Sequence, residues 1–273
     1  MKKEIKENVS LEQKDYLHKL KIENLKIKSL QIGILILGLI LWEIFARLKI
    51  IDSFIMSCPS RFFSVFFDLY NSGQLWNNIF ITSMETLIGF IIGTLLGIII
   101  ASLIWWSPFV LKVSDPYLVV LNALPKVALG PIIIVWIGAG MESIILMAVL
   151  VSVVISIMNI LQGFENISKD EILLMRSFGA SKYQIFTKLV FPASIPVIMS
   201  TLKINVGMSL IGVITGEFLV SSSGIGYLIV YGGQVFKMDL VIAGIIMLSI
   251  MASVMYFGVS ALEKINLNKN KGD

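Results

Sequence analysis

The sequence predicts an all-α polytopic membrane protein with about six transmembrane helices and one cytoplasmic loop built as helix, glycine, helix. Composition, six long apolar runs and a lopsided distribution of basic residues predict it. Of 273 residues, 56% are hydrophobic and 15% charged, and the mean hydropathy is +0.88. Soluble domains hold about 45–50% apolar and about 25% charged residues. A water-soluble globule of this composition would have more apolar side chains than interior to hold them, so lipid is the main solvent. One Cys and one His, Cys58 and His18, supply neither a disulfide pair nor the four or so ligands of a structural zinc site. No metal and no cofactor is expected, and Cys58 reads as a small apolar residue and His18 as part of a solvated tail. The formal charge of +4 does not point to nucleic acid, because the basic residues are spread along a membrane chain.

Residues 1–29 mix Lys with Glu and read as a cytoplasmic N-terminal tail, either a surface-lying helix or a disordered segment. A membrane domain follows at 30–262, then a cytoplasmic C-terminal tail at 263–273. A bilayer crossing needs about 20 mainly apolar residues. The runs that meet this are Leu30–Ala46, Ile79–Trp106, Tyr117–Ile137, Ser143–Phe164, Val197–Val220 and Leu240–Leu262. The first is read as a retained span, since no small-x-small cleavage site follows it. With the N-terminus inside, sixteen Lys and Arg fall in cytoplasmic segments, whereas Arg47, Lys49, Arg61 and Lys237 fall outside. The positive-inside rule therefore places both termini in the cytoplasm. Lys126 and Lys203 lie within spans and snorkel toward the headgroups.

Between the first two spans, Pro59–Tyr70 carries Phe62, Phe63, Phe66 and Phe67 at helical spacing behind a Pro suited to a first turn, which predicts a short interfacial helix. Gly89, Gly93 and Gly97 share one face of the second span and let another backbone approach closely; packing within the chain is favoured over a dimer seam. Pro125 and Pro131 must interrupt the hydrogen-bond ladder of the third span. Backbone freed at membrane depth is tolerated only against protein or a watery cavity, so this stretch is either a pathway wall or a structural kink. The polar span residues Asn122 and Asn205, with Pro125 and Glu217, are the candidate pathway positions; Glu217 beside Ser221–Gly226 reads as an outer lining or gate residue, or as one whose carboxylate snorkels outward.

The loop at about 164–192 is the most specified stretch. Ser168 and Glu171 have capping-box spacing, with Ile167 and Ile172 as a hydrophobic staple; Gly179 supplies a left-handed stop, and Ser181 with Gln184 restarts a helix. Ile172, Leu174, Met175 and Phe178 form an apolar arc on the first helix. That face either docks another protein or folds back on the chain's own spans. The sequence holds no G-x-x-x-x-G-K-[ST] loop, and its single His lies far from any span. A nucleotide-binding or hydrolytic role is therefore not indicated, and an autonomous channel or secondary carrier stands as the alternative to a partner-driven one.

Several strings taken in order resemble the membrane permease subunits of binding-protein-dependent ABC importers, in the nitrate, sulfonate and taurine branch. They are Pro59-Ser60, Gly73-x-Leu75-Trp76, Gly89-Phe90-x-x-Gly93-x-x-x-Gly97, Leu124-Pro125-x-x-Ala128-Leu129-x-Pro131 and Trp136-x-Gly138-x-Gly140, then Phe178-Gly179-Ala180-Ser181-Lys182 through Phe191-Pro192-Ala193, and Glu217-Phe218-Leu219. The family's Glu-Ala-Ala ahead of the loop glycine is replaced by Leu173, Leu174 and Met175, with Glu171 two residues early. The resemblance implies a homodimer, two separate ABC ATPase subunits inside, an extracytoplasmic solute-binding protein, and coupling to the ATPases through Glu171, Ile172, Met175, Phe178, Gly179, Ala180 and Ser181. It implies no enzymatic site in this chain, and it leaves the solute open among sulfonates, nitrate, and vitamin or pyrimidine precursors.

Overall fold

The computed structural model describes residues 11–269, so the outermost parts of both predicted tails, 1–10 and 270–273, lie outside the described residues. Thirteen α-helices and no strand are found among the described residues. In chain order they are α1 (Leu11–Arg47), α2 (Ser53–Met56), α3 (Pro59–Asn71), α4 (Gln74–Trp105), α5 (Pro108–Ala123), α6 (Gly130–Ile137), α7 (Met141–Glu165), α8 (Lys169–Ser177), α9 (Lys182–Ile185), α10 (Phe191–Ala193), α11 (Ile195–Val220), α12 (Ile225–Gln234) and α13 (Met238–Lys269). A 3₁₀ turn, Lys126–Leu129, joins α5 to α6, and a π-turn, Phe186–Val190, joins α9 to α10. Five helices are long and apolar enough to cross a membrane, and the bent pair α5–α6 brings the number to six where it is counted as one broken span. These five helices and the bent pair fall, in order, where the six apolar runs are read in the sequence. The sequence reading placed no helix at 221–239, where α12 forms.

The chain divides into a first unit ending at Ser64 and a second beginning at Val65. In the first, α1 begins at Leu11, so residues 11–29 are the opening turns of the helix that carries the first span. Near its end Glu43 accepts hydrogen bonds from Arg47 Nε at 2.7 Å and from the backbone N–H and Oγ of Ser60 at 3.1 and 3.0 Å. The Trp42 and Phe62 rings meet at 6.1 Å beside it.

The second unit is built around α7, held between α4 and α11. The predicted glycine face packs within the chain: a Cβ on Gly89, Gly93 or Gly97 would lie 2.5, 2.0 or 2.2 Å from Ala148, Ser152 or Ser156 of α7. On the other flank, a Cβ on Gly212 or Gly216 of α11 would lie 2.5 or 2.9 Å from the backbone of Ala148 or Ile144. In lipid, where expulsion of water does not drive helix association, such small-residue contacts hold spans together by close van der Waals packing. Two apolar clusters close the ends. One gathers Ala101, Ile160, Phe164, Ile185 and Val190 where α8 and α9 lie. The other gathers Leu75, Ile225, Leu228, Leu240 and Met247 at the opposite end.

The third predicted span breaks as its prolines require. Leu124, which precedes Pro125, is extended at φ −62° and ψ 133°, the conformation a following proline imposes. The helices on either side are bent by 84°. Lys203, expected to snorkel, instead forms an ion pair with Glu263, joining α11 to α13.

Candidate functional site

The loop between α7 and α11 forms the two capped helices foreseen from its spacing. Ser168 Oγ accepts from the Asp170 N–H at 3.3 Å, opening α8. Gly179 stands at φ +78°, and the Ala180 N–H donates to the Met175 carbonyl at 3.0 Å while the Gly179 N–H donates to Arg176 at 2.9 Å. This is the Schellman pairing, in which the left-handed residue lets the last carbonyls of a helix be satisfied. Ser181 and Gln184 then cap each other's amides at 3.3 and 2.8 Å, opening α9.

The predicted apolar arc divides between two duties. Ile172 and Met175 are half-buried and, with Ala180, pack onto the apolar cluster that holds Ile185 and Val190 beside Ala101, Ile160 and Phe164. Within one copy of the chain these two residues of the arc are turned into its own apolar cluster. Phe178, 79% exposed, Tyr183, 66% exposed, and Leu173 and Leu174 remain uncovered on the outer face. Glu171, Gly179 and Ser181 are exposed beside them.

The four candidate pathway residues are not brought together. Asn122 and Pro125 lie exposed at the α5–α6 break, where Lys126 Nζ donates to the Asn122 carbonyl at 3.1 Å. Asn205 is fully buried; its Nδ2 donates to Thr94 Oγ1 at 2.8 Å and Ser156 Oγ at 2.5 Å, tying α11 to α4 and α7. Glu217 is 1% exposed, so within one copy it neither snorkels outward nor lines an open surface. Its carboxylate accepts from Thr82 Oγ1 at 2.6 Å and from the Gly226 N–H. Thr82 Oγ1 in turn accepts from the Ile225 N–H at 2.8 Å, and Asn78 Oδ1 accepts from the Gly224 N–H at 2.7 Å. Three amides at the start of α12 are thus met by side chains from α4 and α11, as the unpaired amides of a buried helix N-terminus require. A Cβ at Gly224 or Gly226 would fall 2.3 or 2.6 Å from the Glu217 carboxylate. Glu85, 2% exposed, is buried alongside.

Asn78, Thr82, Glu85 and Thr86 continue the glycine stripe of α4 toward its N-terminus, and this polar run on one face of an apolar helix is the signal that could have located the Glu217 partners. Residues 93–265 match the family of binding-protein-dependent transport system inner membrane components. The chain belongs to that family. Among similar proteins, an ABC transporter permease protein of Haemophilus influenzae is 30% identical over 82% of this chain and 91% of its own length. The taurine transport system permease protein TauC of Escherichia coli is 24% identical over 83% of this chain and 84% of its own. A chain of the MetNI methionine ABC transporter in an inward-facing form matches with a TM-score of 0.62 at 14% identity, over 69% of this chain and 94% of that one. The protein is accordingly a multi-pass permease subunit of an importer, and the helical fold described above is shared with the MetNI chain. Its matched region runs from Gly93 of α4 through most of α13, and so includes the α8–α9 loop and Glu217 with Gly224 and Gly226, while Asn78 and Thr82 precede it.

Proposed function

We propose that this permease carries a small organic or anionic solute across the membrane as two copies of the chain, driven by separate ABC ATPase subunits that seat on the α8–α9 loop and supplied by an extracytoplasmic solute-binding protein. The observation that carries the reading is the division of the loop into a face packed into the chain's own apolar cluster and an uncovered apolar face of Leu173, Leu174, Phe178 and Tyr183. Anchorage behind and exposed apolar surface in front suit a site that receives force from a partner. The excess of Lys and Arg on the loop's side of the membrane supports placing it, with both termini, in the cytoplasm, where ATP is available. The chain lacks a phosphate-binding loop of its own, which supports hydrolysis in the partner subunits.

Two copies are supported by the uncovered surface of the bent pair α5–α6, where Val119, Val120, Leu124, Val135 and Trp136 all lie exposed. Asn122 and Pro125 sit on that same exposed stretch and are proposed to border the pathway. Asn205 and Glu217 are proposed to support it from behind by holding α11 and α12 to α4. A taurine carrier among the relatives is consistent with a small sulfonate as the solute.

The test is co-purification of the tagged permease with its ATPase subunits. Phe178→Asp, on a side chain 79% exposed, is expected to leave the permease folded and to weaken capture of the ATPase about tenfold or more, the scale of a central apolar anchor. Unchanged capture in Phe178→Asp combined with Leu174→Asp would overturn the reading.

A further inference from the structure

Resting on the coupling reading above, we infer that Lys182 is a positioning residue that ties the force-receiving loop directly to the corner between α4 and α5. Lys182 is the first residue of α9, yet its Nζ donates to the Trp106 carbonyl, 76 positions earlier in the chain. Trp106 is the C-cap of α4, a helix of 32 residues. Its carbonyl belongs to the electronegative end of that helix, where an ammonium is favourably placed. The same Nζ stands 5.8 Å from the centre of the Trp105 ring and 6.0 Å from that of Trp106, within the range of cation–π attraction.

Four residues after Lys182, on the same side of the turn, Phe186 completes the grip. Its ring lies 5.1 Å from Trp105, 5.7 Å from Trp106, 5.6 Å from Phe164 and 5.9 Å from Phe191. A charged group and an aromatic ring spaced one turn apart thus hold the tryptophan pair between them. Tyr183, on the uncovered face, is the immediate neighbour of Lys182.

The covalent route from α9 to α11 is softer than this clasp. It passes through the π-turn Phe186–Val190, whose wider pairing interrupts the α ladder, then through the short helix α10 and the new helix starts marked by Pro192 and Pro196. The Lys182 contact skips all three. It ends at Trp106, and Ser107, the next residue, caps α5 by accepting from the Val110 N–H at 3.4 Å. A displacement of α9 is therefore delivered first to α5, and through it to the 84° break at Pro125 that borders the proposed pathway.

The experiment uses the full permease–ATPase complex in vesicles, with Cys58→Ser removing the chain's single cysteine. One reporter cysteine is placed at Val127 in the break and, separately, one at Ile211 on α11; both positions are exposed. Alkylation by a membrane-impermeant maleimide is timed with and without ATP and vanadate. In the parent complex the rate at Val127→Cys is expected to change on nucleotide trapping. In Lys182→Met that change should shrink about fivefold, the scale of a lost charge-assisted hydrogen bond and cation–π contact, while trapping and the change at Ile211→Cys persist. Lys182→Arg should restore it. An undiminished change at Val127→Cys in Lys182→Met overturns the inference, and so does loss of trapping, which would place Lys182 in the docking contact instead. If Lys182→Met does not assemble, Trp105→Leu removes the ring beneath the ammonium and is read by the same criteria. A parent complex that traps nucleotide with no change at either reporter overturns the coupling reading itself.

Discussion

Removing the Glu217 carboxylate should release α12 while leaving the three-span core in place. In the native protein this side chain is 1% exposed and accepts two hydrogen bonds, from Thr82 Oγ1 and the Gly226 N–H. Glu217→Ala leaves both donors buried and unmet, each costing about 1–3 kcal/mol. Part of this is an N-cap loss, worth about 0.5–2 kcal/mol by itself. A total of about 3–4 kcal/mol follows, or a fall of about 6–16 °C in unfolding temperature at this chain size. Glu217→Gln keeps the shape and one carbonyl acceptor, which can serve Gly226, and so should lose about 1–2 kcal/mol. The assay is thermal unfolding of the purified permease together with amide hydrogen exchange over residues 221–234. Exchange should rise there in Glu217→Ala and stay unchanged in α7, because the lost contacts are local. Thr82→Val should couple to Glu217→Ala in a double-mutant cycle by more than about 0.5 kcal/mol, as residues in one network do. Glu217→Ala that loses transport of one solute while α12 exchanges as slowly as in the parent would refute the cap and make the carboxylate a solute contact.

Other consequences follow from the packing. Gly93→Val should separate α4 from α7 and destabilise by at least about 1–3 kcal/mol, since its Cβ would start 2.0 Å from Ser152 Oγ; a melting temperature within experimental error of the parent would contradict this. Asn205→Leu removes two hydrogen bonds across three spans and should cost about 1–2 kcal/mol, near the upper part of the range for polar contacts between membrane helices, measured by the same unfolding assay. Gly179→Val meets no atom, since nothing lies within 4 Å of its Cβ. Its cost of about 1–2 kcal/mol is the left-handed backbone alone. Gly179→Asn should therefore retain ATPase-driven transport where Gly179→Val loses much of it; equal transport by the two variants would count against a left-handed elbow.

What the sequence made legible was whatever lipid and local geometry dictate without reference to a partner. Each span announces itself as a long, mainly apolar run because side chains in the bilayer core meet lipid. The Ser181 and Gln184 cap and the Gly179 stop were readable because both involve residues within five positions of one another. The glycines of α4 declared a close-packing face but not its occupant, and only the fold shows Ala148, Ser152 and Ser156 filling it. Contacts over long separations stayed hidden. Glu217 meets Thr82 across 135 positions and Lys182 meets Trp106 across 76, and no periodicity records such pairs. The partners that bury Glu217 within one copy were hidden for that reason. A lone acid near a span end looks interfacial until Thr82, Gly224 and Gly226 are seen to enclose it. The apolar arc of α8 shows a different limit: hydrophobic periodicity marks a face that is covered but not by what, and within one copy Ile172 and Met175 meet the chain's own apolar cluster.

Rigidity and freedom are distributed unevenly in this fold, and the distribution constrains how it can move. Where α7 meets α4 and α11, backbones approach so closely that five glycines have no room for a Cβ. The Asn205 knot fastens the same three helices at mid-span. Elements packed in this way shift as bodies and do not deform continuously. The bent pair α5–α6 differs: its ladder is already open at Pro125 and most of its apolar side chains are uncovered, with Leu118, Ile133 and Gly130, the last against Leu219 and Met147, as its seated residues. The proposed change of access would on this packing concentrate its backbone rearrangement at the Pro125 break, because rearrangement among α4, α7 and α11 would first have to separate glycine-packed helices.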